Sequence, residues 1–281
     1  MAGPGPGLPE AGGRGDPSPS AVPAQDSLRW RVIRDPPLPG HVNMARDHAL
    51  TLFLGPDEGV LRLYRWDPPA VSFGRNEPSR GLYSQEAASG EGVSLVRRPT
   101  GGRAVLHHQE LTYCLVFGAG RFGGPKRSYR LINQGLLLGL RSLGAGAELA
   151  VETGPALPPD AGPCFRAPAE GEVTALGRKL VGSAQVRLGD RILQHGSLIL
   201  DGDQGALGRI RLDGADVDPP ATVRSLLGKV PDLDLLATSL EQGLGSVLGG
   251  QWRAGRFRGA EEGAARELEE HYLDPHWTWR L

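Results

Sequence analysis

The sequence predicts an α+β fold in which helices pack on a mixed β-sheet within one domain over residues 28–281, and three observations carry that reading. Short runs with strand patterning cluster between residues 28 and 117 and again between 172 and 200. Helical periodicities interrupt and follow these clusters without alternating strand by strand, which disfavours a doubly wound dinucleotide fold. No repeat of fixed period is visible, so solenoids and propellers are excluded. A chain of 281 residues and 29.8 kDa can bury one sizeable core.

Taken in order, residues 1–27 are rich in Gly, Pro and Ser and hold almost nothing that could be buried, which predicts a disordered tail without the apolar core of a signal peptide. Leu28 to Ile33 reads as a first strand, and HVNMARDHALTLFL after the Pro-rich loop as a helix capped near Asn43, with Met44, Ala45, His48 and Leu52 facing inward. VLRLYRW alternates like a half-buried strand, and AVSFGRN, beyond Asp67-Pro68-Pro69, completes an expected hairpin. Residues 92–117 carry a strand, a glycine turn in RPTGGRA, a short strand and the apolar strand LTYCLVF. Ser128 to Leu143 has helical spacing, ends at Gly144 and is expected to be the longest helix. A Pro-, Gly- and Asp-rich loop runs to Cys164, EVTALGRKLVGSAQVRLGDRILQHGSLIL reads as a β-meander with turns at Gly177 and at Gly189-Asp190, and the remainder from Gly205 is mostly helical.

Composition narrows the function classes. The net charge is −1, from 31 Lys+Arg against 32 Asp+Glu, so no global field steers the chain to nucleic acid or an anionic membrane. No stretch approaches the roughly 18 apolar residues that span a bilayer. Two cysteines cannot build a disulfide framework, and a reducing, cytoplasmic setting is expected. Lysine stands only at positions 126, 179 and 229, against 28 arginines. A lysine in such a chain is informative, because arginine does not supply a compact ammonium whose pKa responds to burial.

The two thiols have different surroundings. Cys114 lies within LTYCLVF, where a thiol acts as a small hydrophobe. Cys164, between PPDAGP and FRAP, falls in an irregular segment suited to a surface or cleft, and a reactive thiol needs that access together with a nearby cation. The residues alone leave a reactive and an inert Cys164 both open. Lys179 in GRKLVGSAQ is the candidate cation, with a surface lysine on a hairpin as the alternative. RRPTGGRAVLHHQE is the other dense constellation; it lacks the Lys-Ser/Thr ending of a phosphate-binding loop and the dinucleotide glycine pattern, so it stands as a close-approach loop or a plain hairpin turn. His107 and His108 would point to opposite faces of a strand, so no metal site is expected there.

Together, RRPTGGRAVLHHQELTY, GRKLVGSAQ and ILQHGSLIL, with NMARDHAL upstream and WTWR at the close, resemble the biotin and lipoate protein ligase family, over about residues 28–281. Within it the chain is most similar to the cysteine-dependent octanoyltransferases. The resemblance implies the biotin/lipoate protein ligase catalytic-domain fold, with Cys164 of CFRAP as the acyl-carrying nucleophile and Lys179 as the residue that lowers its pKa. It implies an acyl pocket formed by Arg98, Thr100, Gly101, Gly102 and His107, with further substrate contacts from Gly182, Ser183, Gln185 and His195. His108 departs from the Asp expected after the motif histidine, and Arg103 stands where ATP-dependent ligases usually have a third glycine.

The implied reaction moves an octanoyl group from octanoyl-acyl carrier protein through a Cys164 thioester to a lysine of a lipoyl domain such as a glycine cleavage H protein, with no cofactor, nucleic acid or membrane involved. The alternative is an ATP-dependent lipoate-protein ligase working through an acyl adenylate. A third reading is an amide-to-amide relay or a silent binding homologue. Arg121, Lys126, Arg127 and Arg130 offer either a landing patch for an acidic carrier or an ordinary solvated helix start.

Overall fold

The computed structural model describes residues 28–151 and 171–281. Its elements are β1 (Arg29–Arg34), α1 (Gly40–Leu52), β2 (Glu58–Tyr64), β3 (Ala70–Phe73), α2 (Gln85–Gly90), β4 (Ser94–Arg97), β5 (Val105–His107), β6 (Glu110–Gly118), α3 (Pro125–Ser142) and β7 (Glu148–Leu149). There follow β8 (Val173–Ala175), β9 (Arg178–Lys179), β10 (Val181–Leu188), β11 (Arg191–Ile199), α4 (Gly205–Arg209), α5 (Val223–Leu227), α6 (Leu233–Leu248), β12 (Gln251–Ala254), α7 (Gly259–Leu273) and α8 (Pro275–Thr278).

A six-stranded sheet in the order β10-β11-β6-β2-β1-β12 forms the centre. The pairings β10–β11, β11–β6 and β6–β2 are antiparallel, while β1 is parallel to both β2 and β12, so the sheet is mixed as expected. Strand alternation sends Leu61, Leu63, Leu115 and Phe117 to one face, where they meet Ile132, Leu136 and Leu140 of α3 and Leu240 and Leu244 of α6. Val60, Tyr64, Cys114 and Val116 point to the other face, against Met44 and Ala45 of α1 and Tyr272 of α7. The helices α3 and α6 touch backbone to backbone: a Cβ on Gly243 would stand 2.3 Å from the Gly135 carbonyl oxygen.

Several expectations need correction. β2 is buried along its whole length, because helices cover both faces of the sheet and its polar Arg62 is received by acceptors on α1 and the preceding loop. β2 and β3 form no hairpin: β2 pairs with β1 and β6, whereas β3 joins β4 and β5 in a separate three-stranded sheet. Asn43 lies inside α1 rather than at its cap, and its amide stitches the Leu38 and Arg65 carbonyls together. Leu52 is 55% exposed, beyond the stripe that Met44 and Ala45 begin. The expected meander is split, with β8 and β9 in a small sheet with β7 and only the β10–β11 hairpin in the large one. The C-terminal region is mostly helical, but it also supplies β12. Among the described residues α3, at 18 residues, is the longest helix, as expected, and no helix is long and apolar enough to cross a membrane.

Candidate active site

A cavity opens where the central sheet meets the small β3–β5 sheet. Met44, Tyr64, Trp66 and Val105 give it apolar wall, Gly182, Ser183, Ala184, Gly196 and Ser197 of the β10–β11 hairpin give it close backbone, and Ser72, Arg98, His107, Thr112 and His195 give it polar points. The mixture of apolar wall with a few placed polar groups suits an acyl chain carrying a reactive head.

The loop between β4 and β5 frames one side. Arg98, 4% exposed, donates to the Gly101, Ser72 and Arg103 carbonyls and to Ser72 Oγ. Its neighbour Arg97 reaches the other way, to the Gly74, Glu77 and Thr278 carbonyls and Ser79 Oγ, and burial lowers its pKa to about 10. Gly102 has φ +88° and rests on Gly74, where a side chain would collide with it. No hydrogen bond from the Gly101 or Gly102 N–H is present among the described residues, so both donors remain available to an acyl oxygen.

Two carboxylate–imidazole–hydroxyl chains stand behind the cavity wall. In the first, His195 Nδ1 lies 3.0 Å from Asp47 Oδ2 and His195 Nε2 lies 2.7 Å from Thr100 Oγ1. Asp47 also accepts from Arg62 Nη1 at 2.7 Å and from the Tyr64 hydroxyl at 2.8 Å. Burial alone would raise the Asp47 pKa, but the Arg62 charge and the His195 contact hold the carboxyl below its ordinary value. Burial lowers the pKa of His195, and Asp47 offsets this only in part, so the ring is neutral at pH 7. In the second chain, His107 Nδ1 lies 2.9 Å from Glu110 Oε1 and Nε2 lies 2.7 Å from Ser72 Oγ. Trp66 stacks on His107 with centroids 3.9 Å apart. Thr112 and Ser197 donate to the same Glu110 oxygen, leaving Glu110 Oε2 buried with no hydrogen-bond partner among the described residues.

The structure thus brings Arg98, His107, Gly182, Ser183 and His195 together on one cavity, with Thr100 one hydrogen bond behind and Gly101 and Gly102 in the adjoining loop. Gln185 sits elsewhere, in a surface depression with Pro125, Lys126, Tyr129 and Arg130, because β10 alternation turns it away from Ala184; it donates to Gln194 and Ser128. Lys179 does not line the cavity: it is buried on β9 with Nζ 2.7 Å from Glu172 Oε1. Cys164 lies outside the described residues. Cys114 is fully buried, and burial pushes its thiol well above the ordinary range, so it is the structural cysteine that its apolar strand predicts.

Asp47, Glu110, Ser72 and Trp66 escape sequence reading. Asp47 carries a usable signal, since an acidic residue on the apolar stripe of NMARDHAL must meet a partner once α1 packs. Ser72 and Trp66 carry none, because their roles come from contacts across strands.

The lipoyl protein ligase A/B catalytic domain family matches residues 39–239. Octanoyltransferase LipM of Kyrpidia tusciae is 36% identical over 270 residues, covering 89% of this chain and 98% of that protein. The LipM of Carboxydothermus hydrogenoformans is 42% identical over 189 residues, 64% of this chain and 68% of that one. Among solved structures, a lipoate-protein ligase A bound with ATP has a TM-score of 0.76 at 22% identity, covering 90% of this chain and 99% of its own. A bi-partite lipoate protein ligase of Thermoplasma acidophilum has a TM-score of 0.72 at 22% identity, covering 90% and 96%. These two likenesses bear on the fold.

Proposed function

The chain belongs to the lipoyl protein ligase A/B catalytic domain family, and from that premise we propose that it works as an octanoyltransferase whose acyl group rests on Cys164 between donor and acceptor. It is an acyltransferase acting in protein lipoylation; the carrying observation is its 36% identity with a LipM octanoyltransferase along 98% of that protein's length. The cavity with its apolar wall and its neighbouring free N–H groups supports an acyl substrate.

In the proposed route, the Cys164 thiolate attacks the thioester carbonyl of octanoyl-acyl carrier protein. The tetrahedral intermediate collapses, the carrier sulfur leaves as a thiol after taking a proton, and an octanoyl thioester remains on Cys164. The neutral ε-amine of a lipoyl-domain lysine then attacks, the amide forms as the C–S bond breaks, and the departing Cys164 sulfur takes up the proton that the amine loses. Lys179 favours the thiolate, and the Gly101 and Gly102 N–H groups receive the oxyanion. Ala150 and Gly171, on either side of the segment bearing Cys164, are hydrogen bonded to each other, and Gly171 adjoins Glu172, the partner of Lys179. The reading places the reaction in the cytoplasm, with no cofactor or metal.

Octanoyl-acyl carrier protein incubated with the pure protein should leave an octanoyl adduct on Cys164, discharged when a lipoyl domain is added. Absence of the adduct by mass spectrometry, with transfer surviving Cys164→Ala, would sink the covalent route. Transfer from free octanoate only with ATP would establish a ligase, and an octanoylated H protein acting as the donor would establish a relay.

A further inference from the structure

At Asp47 every partner is a donor. Arg62 reaches Oδ1, while the Tyr64 hydroxyl and His195 Nδ1 converge on Oδ2, and Asp47 is completely buried. A carboxylate cannot return a proton, so His195 must carry its hydrogen on Nδ1. The ring is neutral, so Nε2 is an acceptor, and the Thr100 hydroxyl 2.7 Å away must donate to it. Thr100 is itself fully buried, and its carbonyl accepts from the Arg75 N–H at 2.8 Å. Gly101 and Gly102 follow it directly in the chain. The direction of every proton from α1 across β11 to the glycine turn is thus set by one charge.

We infer that Asp47 is a positioning residue for acyl transfer: by fixing the His195 tautomer it holds the Thr100 hydroxyl, and through it the Gly101–Gly102 N–H groups, in register with the acyl carbonyl. This rests on the proposed acyltransferase reading for its kinetic consequence, but the tautomer itself can be read without any substrate. Asp47→Asn preserves volume and reverses one donor. Its NH2 is repelled by Arg62 and turns toward His195, which must then accept at Nδ1 and donate from Nε2, and the Thr100 hydroxyl loses its acceptor.

The test combines ¹⁵N NMR of His195 with single-turnover and steady-state octanoyl transfer. In the wild type Nε2 should show the acceptor shift and Nδ1 the protonated one, and the two should exchange in Asp47→Asn. That variant should lose about tenfold or more in kcat with KM for octanoyl-acyl carrier protein within about twofold, as misplacement of a reacting group by less than an ångström predicts. Thr100→Val leaves the Asp47–Arg62 pair untouched and covers the case in which Asp47→Asn does not fold; it should lower kcat similarly while His195 keeps its Nδ1 proton. The double variant should be no worse than the poorer single one, since both break the same chain. A wild-type Nε2–H tautomer, unchanged kcat in Thr100→Val, or fully additive losses would overturn the inference. A wild type that transfers no octanoyl overturns the function instead, and the tautomer and its reversal then decide alone for Asp47.

Discussion

Gly74 and Gly102 meet so closely that a Cβ on the first would lie 1.8 Å from the carbonyl oxygen of the second. Two loops from different strands are therefore in backbone contact at the edge of the cavity, and Arg97 adds a hydrogen bond to the Gly74 carbonyl. Gly74→Ala must displace the glycine turn. Urea unfolding should show a loss of about 1–3 kcal/mol, typical of overpacking, and octanoyl transfer at temperatures where the variant is fully folded should still fall at least tenfold. Retained transfer would show that the turn is not near the reacting carbonyl.

Lys179 and Glu172 form an ion pair whose side chains are 3% and 5% exposed. Removing one charge leaves the other buried, so Lys179→Met should cost about 3 kcal/mol. Pairing it with Glu172→Gln should recover much of that loss in thermal denaturation. Transfer should stay low in the double variant if the ammonium acts on Cys164, and would return with stability if the lysine were only structural.

The two thiols should respond differently to alkylation. Cys114 is sealed within β6 with its pKa raised by burial, so native protein should take up a single iodoacetamide, on Cys164. Peptide mapping checks this, and Cys114→Ala should keep transfer within about twofold at a stability cost of about 1 kcal/mol.

Stability should fall on the acid side in two stages. His195 has a pKa lowered by burial from the ordinary 6.5, so below that value the unfolded chain takes the proton first and the native state loses ground. His41, His48 and His271 are lowered by burial as well and add to the slope. The Asp47 contribution is intact above its ordinary 3.8 and disappears as pH falls further, through the lowered folded value. Urea midpoints measured from pH 8 down to pH 3 should trace both stages, and His195→Gln should flatten the first.

Ala184 lines the cavity from β10. Ala184→Leu extends a branched side chain into the space and should cut octanoyl transfer relative to butanoyl transfer by about tenfold or more. Competition between the two donors in one reaction reads this ratio directly, and an unchanged preference would mean that the acyl chain lies elsewhere.

What the sequence disclosed follows the reach of each interaction. The longest helix, the apolar β6 and the β10–β11 hairpin rest on local spacing and turns, and they appear where they were expected. The false hairpin between β2 and β3 arose because a Pro-rich turn looks the same whether the strands on either side pair or part company. The cavity residues Arg98, His107, Ser183 and His195 were visible as motif members, but the sequence does not show that Asp47 lies behind one histidine and Glu110 behind the other. Asp47 comes from a helix distant in the chain from His195, whereas Glu110 stands only three residues from His107 and is brought to it by the turn between β5 and β6. Gln185 faces a separate surface depression, since motif membership says nothing about which side of a strand a residue faces.

The pairing of β1 with β12 has a bearing on how the chain acquires its shape during synthesis. Arg29 to Val32 align with Gln251 to Ala254, more than 200 residues later, and α7, which completes the cover over α1, comes later still. On the ribosome the strands around the cavity are all available before these last pieces emerge, while one edge of β1 and the exposed side of α1 wait for them. Such late, non-local closure makes for slow completion and a window in which a nearly finished domain can stick to its neighbours. Yield should therefore respond more sharply to substitutions in β12 and α7 than their distance from the cavity would suggest.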